Sequence, residues 1–249
     1  SQFGTMGKPM NAGISASNGV EAALLAAKGF ISADDGVGGK QGFIDTHVDK
    51  PDDTSAYISP PPGHFVFEDV KYKLHACCHG THAMIEALKQ AIHDHAIKAS
   101  EVAEVVVRVN PRWLKVCDIK EPRTGLEIKF SYVFLAAMVL TGLDTARNET
   151  YTDQLAQDLA LKSLSRKITI IGDERIGDMA ADLDLRLVSA AIHHASHDLS
   201  GRSPLDVIER GLREKARALA GKDLADRIWK ILTMPESHDV ADLAACIRE

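Results

Sequence analysis

The 249-residue chain lacks a cysteine framework: its four cysteines, two of them adjacent at Cys77 and Cys78, do not have the regular spacing of a small disulfide-stapled secreted domain. It also lacks an apolar run long enough to span a membrane and any segment resembling a signal peptide, so a cytoplasmic, reduced setting is expected. Lysine and arginine never gather into a run that could follow a phosphate backbone. With a formal net charge of −6, nucleic acid is not an expected partner. A local basic pocket for a small anion remains compatible with that balance. Gly36, Gly38, Gly39 and Gly42 form no dinucleotide fingerprint, because no strand precedes them and no βαβ unit follows, so no nucleotide cofactor is indicated. There is no internal repeat and no low-complexity segment. The sequence opens on Ser1 rather than methionine, so its beginning need not be that of the gene.

What is present suffices for a sizeable core. Hydrophobic residues make up 45% and charged residues 26%, and the length suits one or two domains. Ile14 to Lys28 reads as a helix, with Val20, Leu24 and Ala27 on one face and Gly29 ending it. The stretch from Ile31 to Gly63 is rich in Gly, Asp and Pro, and Pro60-Pro61-Pro62 makes a stiff extended connector where a domain boundary is expected. Beyond it the elements alternate. The spacing of Met84, Leu88, Ala91 and His95 predicts a helix from Thr81 to Ile97, and the β-branched run Val102 to Val109 predicts a buried strand. Ile119 to Lys129 is turn-rich, Phe130 to Leu140 is apolar and helical, and Asp153 to Leu164 is an amphipathic helix. Lys167 to Ile171 and Asp182 to Val188 read as strands, the second alternating with one buried face.

His193-His194-Ala195-Ser196-His197-Asp198 falls in the polar turn expected between the last strand and a helical tail. There Ser203 would cap a helix with Pro204 at its first position, and Leu205, Ile208, Leu212, Ala216 and Leu219 would form its stripe. Leu224 to Leu232 and Val240 to Ile247 add two more helices. The expected fold is mixed α and α+β: an all-helical domain formed by both chain ends, residues 1–62 and 200–249, with an α+β domain, 63–199, inserted between them.

The chemistry concentrates in Tyr72 to His82, YKLHACCHGTH, which leads straight into the helix expected from Thr81. A helix N-terminus offers unpaired backbone N–H groups and the positive end of its dipole, which favour a small anion such as a carboxylate. Lys73 would add a full charge. His75, His79 and His82 with Cys77 and Cys78 are metal-ligand residue types. The adjacent cysteines lack the C-x₂-C spacing of a structural zinc site, however, and no second ligand pair lies nearby, so pocket lining is expected and no metal. The group His193, His194 and His197 is also metal-like, but in a polar turn it carries no assigned role.

Three segments resemble one family, in the family's order. Gly4-Thr5-Met6-Gly7-Lys8-Pro9-Met10-Asn11-Ala12-Gly13, followed by Gly19-Val20-Glu21-Ala22-Ala23-Leu24-Leu25-Ala26, is similar to the "KPxHAG…GVxAAxLA" segment of the MmgE/PrpD family. Lys73-Leu74-His75-Ala76-Cys77-Cys78-His79-Gly80-Thr81-His82 resembles its "KxHAxCxxTH" motif. Lys129-Phe130-Ser131, after Pro122-Arg123-Thr124, resembles its "AKFS" stretch. The resemblance implies a helical domain from both chain ends, an α+β lid and an active site between them. It also implies chemistry beside carboxylates: 2-methylcitrate dehydration, cis-aconitate decarboxylation or iminodisuccinate epimerisation, with no metal or organic cofactor and usually in a dimer.

Under that resemblance Lys8 and Lys73 are the catalytic candidates, and Asn11, His75, Cys78, Thr81, His82 and Ser131 line the substrate. Spacing alone reads Lys8 as a solvated loop lysine. Lys73 would bind carboxylate and could move a proton if burial or a neighbouring cation lowered its pKa. Thr81 would cap the helix. Cys78 would contact substrate rather than act as a covalent thiolate. Asn11 stands where many members have histidine and Phe134 where many have tyrosine, with Tyr132 a substitute only if it points the same way. Family chains are nearly twice as long, the additional N-terminal part supplying further pocket residues. The expected partners are therefore a small carboxylate and either a second copy of the chain or a chain carrying the N-terminal half. The competing expectation is a non-catalytic carboxylate-binding subunit that needs such a partner.

Overall fold

The computed structural model describes residues 4–49, 70–201, 203–234 and 236–248, so the triple proline and the boundary expected there lie outside the described residues. Two compact units result: Met6–Val70, and Lys71–Glu249 together with Gln2–Thr5.

In the first unit, α1 (Gly7–Ala27) begins well before Ile14. Pro9 does not prevent this, because a proline in the first helical turn removes an N–H that has no intrahelical partner anyway. Lys8 is thus a helical residue and not a loop lysine. The C-terminus behaves as the sequence suggests: Gly29 takes φ +85°, and Phe30 N–H and Gly29 N–H donate to the Leu25 and Ala26 carbonyls at 3.1 and 2.9 Å. This crossed pair is a Schellman motif, and only a residue tolerant of positive φ closes it cheaply. No residue of α1 is buried. A short helix, α2 (Phe43–His47), follows.

The second unit is built on a four-stranded sheet in the order β2-β1-β3-β4, comprising β1 (Val102–Val109), β2 (Ile168–Gly172), β3 (Ala180–Leu187) and β4 (Ile192–Asp198). β1 pairs parallel with β2 and antiparallel with β3, which pairs antiparallel with β4. Alternation sorts the side chains. Val105, Val107, Val109, Ala181, Leu183 and Leu185 are buried. The opposite face carries charged pairs: Arg108 meets Asp184 at 2.5 Å, Arg186 meets Glu104 at 2.7 Å, and His194 bonds to Asp184. One face wet and one face buried is the expected state of an antiparallel-rich sheet.

Five helices lie between the strands or ahead of them. α3 (His82–His95) packs on β3 and β4, and α6 (Tyr132–Leu140) packs beside α3 and against β2 and α7 (Leu159–Ser165). The connection from β1 also holds two single turns, α4 (Leu114–Cys117) and α5 (Gly125–Ile128). All nine residues of α6 are buried. A helix apolar all round belongs in the middle of a core, and Ser131 caps it by accepting the Phe134 N–H at 3.3 Å. The tail adds α8 (Leu205–Ala220), α9 (Lys222–Thr233) and α10 (Val240–Arg248). The unit is mixed helix and sheet, as the sequence implies. No helix among the described residues is long and apolar enough to cross a membrane.

Several sequence expectations need correction. His193 to Asp198 is not a turn but strand β4; it has too few apolar residues to signal a strand and is held by its ladder to β3. The expected helix Asp153 to Leu164 is broken: a 3₁₀ turn covers Leu155–Gln157, and Asp158 then caps α7 by accepting the Leu161 N–H at 2.9 Å. Aspartate favours that extended cap conformation over a helix interior. His95 lies on the exposed side of α3, although Met84, Leu88 and Ala91 are buried as expected. Pro204 is the cap residue of α8 rather than its first helical residue, and Ser203 makes no capping bond to the helix.

Candidate functional site

The run Lys73 to His82 forms an irregular segment and a 3₁₀ turn (His79–Thr81) before α3. Three backbone bonds pin it. Ala76 N–H donates to the Thr145 carbonyl at 2.8 Å, Cys78 N–H to the Lys129 carbonyl at 3.0 Å, and Thr81 N–H to the Cys78 carbonyl at 3.0 Å. Gly80 is required where it stands, since a Cβ there would meet Trp113 Cε3 at 2.3 Å.

His75 is the buried anchor of this segment, 4% exposed, with Nε2 2.6 Å from Glu86 Oε1 and Nδ1 2.7 Å from Thr145 Oγ1. Burial raises the Glu86 pKa, but the His75 bond and charge and the nearby Lys89 outweigh it, and the carboxyl sits below its usual range. Both ring nitrogens of His75 are therefore engaged. Its role is to position the turn.

His82 is different. It is 2% exposed, and its Nε2 has no hydrogen-bond partner among the described residues; the same holds for the buried Nε2 of His79. The His82 ring lies edge-on to His75 and His79, with centroids at 4.9 and 5.0 Å. Burial first, then the neighbouring His75, His79, Lys73 and Lys215, push its pKa down to about 2, so the ring is neutral. A buried imidazole with an unpaired nitrogen is costly unless something else satisfies it. Burial and Lys73 likewise lower His79.

Lys73 donates to the Cys77 carbonyl at 3.4 Å. Thr81 is fully buried and donates to the Cys78 carbonyl at 2.7 Å, making no cap bond to α3. It is therefore a brace of the turn, not the capping residue expected. Cys77 Sγ lies 3.2 Å from the Thr81 hydroxyl, and burial pushes its thiol up to about 11, which keeps it protonated. Cys78 is buried, and none of the four cysteines is in a disulfide.

Thus Lys73, His75, Cys78, Thr81 and His82 come together around one turn. Ser131 is fully buried and engaged as the α6 cap. Tyr132 donates to the Gly80 carbonyl at 2.7 Å, so its hydroxyl braces the turn instead of replacing the tyrosine absent at Phe134. Lys8 and Asn11 lie in the other unit, on the first turns of α1.

Sequence reading missed Glu86 and Thr145, which fix His75, and Lys215 of α8, which with Leu74, His75 and Thr145 lines a cavity of about 590 Å³. No local signal marks them; only folding brings them to the turn. Among the described residues no three His, Cys, Asp or Glu side chains converge to hold a metal ion.

Residues 75–222 match the MmgE/PrpD C-terminal domain. The chain belongs to the MmgE/PrpD family. That match spans the buried turn from His75, the sheet, α6 and the start of the helical tail, and MmgE/PrpD proteins are generally enzymes, dehydratases or isomerases. No curated protein matches the chain.

Proposed function

We propose that this chain is part of an MmgE/PrpD-type enzyme that acts on a small di- or tricarboxylate by abstracting a proton next to a carboxylate, leading to dehydration, decarboxylation or epimerisation. The observation that carries the reading is the unpartnered Nε2 of neutral, buried His82 in the first turn of α3, beside the Lys73 ammonium. Negative charge that develops next to a carboxylate during proton removal needs a nearby cation and a directed donor, both preorganised. Lys73 provides the cation, and His82 and the helix terminus provide the donors. In this reading Lys8 and Asn11 remain candidate catalytic and substrate-binding residues, Cys78 touches substrate, and turnover needs no added cofactor in a cytoplasmic setting.

A panel of citrate-like and aspartate-derived acids, followed by NMR in D₂O, tests the proposal: solvent exchange or product formation is expected with at least one. Lys73→Ala should then cut turnover by roughly 10²-fold with folding nearly unchanged. No exchange and no product with any acid would defeat it.

One observation favours the second reading, a non-catalytic carboxylate-binding subunit that needs a partner chain carrying the N-terminal half: α1 exposes Met10, Ile14, Val20 and Leu24. Such apolar surface in water marks an association face. Native mass distinguishes the two, since a monomer active alone would rule out the dependent subunit.

A further inference from the structure

Three lysines from distant parts of the sequence come within electrostatic range of one another beside the Cys77–Cys78 turn. Lys73 bonds to the Cys77 carbonyl at 3.4 Å. Lys129, whose own carbonyl holds Cys78 N–H, lies 4.9 Å over the Tyr151 ring and bonds to Asn148 Oδ1. Lys215 arrives from α8 and lines the 590 Å³ cavity with His75 and Thr145. Gly211, one turn earlier on α8, permits this approach: a Cβ there would already stand 3.2 Å from Leu74 Cδ2.

Two of the acids on the cavity wall have other partners. Glu86 is engaged by His75 and Lys89, and Asp144 accepts the Ala146 N–H and pairs with Arg147 at 3.6 Å. Glu214 also lines the cavity, and Glu149 lies within electrostatic range of Lys129. Lys215 has no hydrogen-bond or ion-pair partner among the described residues, and its ammonium is within electrostatic range of Lys73 and Lys129. Burial, reinforced by those two cations against the opposing pull of Cys77 and Asp144, lowers its pKa. Gathering like charges at a half-buried place is unfavourable unless an anion joins them.

We infer that Lys215 is a further anion-binding residue of the site, supplied by helix α8, so that a bound carboxylate bridges Lys73 and Lys129 on one side and Lys215 on the other. The inference rests on the proposed carboxylate function. It also gives ligand binding a mechanical consequence. No residue of helix α8 is fully buried, and the shared anion would add an attachment between it and the turn to those it already makes with α9 and Leu74.

The test uses the full chain at low ionic strength, titrated with citrate, cis-aconitate, malate and aspartate by calorimetry, with backbone hydrogen exchange followed on α8. For the acid bound by the wild type, Lys215→Met and Lys215→Gln should each weaken affinity roughly 10- to 100-fold, the range of one lost charge-assisted bond. Lys215→Arg should retain most of the affinity, and Lys222→Met on α9 should be neutral. The bound acid should slow exchange across α8 in the wild type but not in Lys215→Met. Unchanged affinity and unchanged α8 protection in both neutral variants, with binding still lost in Lys73→Ala, would overturn this inference and leave the proposed function standing. Failure of the wild type to bind any of the four acids would overturn both.

Discussion

His82 gives the most direct physical test of the site, because its burial makes protein stability depend on pH in a calculable way. The unfolded chain carries a histidine with the ordinary value of 6.5, whereas the folded protein holds the ring at about 2. Between those values the unfolded state binds a proton that the native state refuses, so stability is full above 6.5 and declines as pH falls. The slope is about 1.4 kcal/mol per pH unit, and going from about pH 7 to about pH 5 costs roughly 2 kcal/mol from this one residue. Urea unfolding of the wild type and of His82→Gln at both pH values isolates the effect. Other titrating groups, His79 included, act in both proteins and cancel. The wild type should lose about 2 kcal/mol more than the variant over that interval. Equal losses would mean that His82 protonates in the folded state, and the neutral, buried imidazole would have to be abandoned.

Gly125→Ala should be severely destabilising, because the new Cβ would sit 2.0 Å from the Tyr151 carbonyl oxygen, and backbone cannot move aside as a flexible side chain can; a cost of about 3 kcal/mol by urea unfolding is expected, and less than about 1 would contradict the packing. Ser131→Ala should cost about 1 kcal/mol through loss of the α6 cap with acid binding unchanged; lost binding at unchanged stability would instead place the hydroxyl on the substrate. Leu183→Ala, at a fully buried position of β3, should cost about 2–5 kcal/mol in the same assay.

How much of this was legible in the sequence depended on whether the signal was local. Val102 to Val109 is read correctly because β-branched residues dominate it and four of its valines face the core, and Phe130 to Leu140 because a run that apolar can only be interior. Strand β4 was hidden: His193, His194, Ser196 and His197 carry no hydrophobic alternation, and the strand exists through pairing with β3. Asp158 falls inside the helix expected from Asp153 to Leu164, whereas it is the cap that starts a new helix after a 3₁₀ turn. The site shows the same division. Its contiguous part, Lys73 to His82, stands out in the sequence, whereas Lys129, Thr145 and Lys215 are brought there by tertiary structure and leave no trace in spacing.

The electrostatics of the turn also explain why its residue types are divided as they are. A protonated His82 would face His79, Lys73 and Lys215 in a buried setting, so the native state keeps it neutral. A neutral imidazole can still donate or accept one hydrogen bond at Nε2, but it cannot balance a carboxylate's charge. In the proposed function that task falls to the lysines, whose long stems let the ammonium stay near water until a ligand pairs with it. His75, paired with Glu86 and Thr145, contributes neither charge nor a vacant nitrogen and instead fixes the segment that carries Lys73. Three histidines within eight residues thus hold distinct positions: one anchors, and two present unpartnered nitrogens beside cations supplied from elsewhere in the fold. Under the proposed function, an anion that accepts from imidazole and ammonium together would complete the turn and offset the buried polar cost of His82.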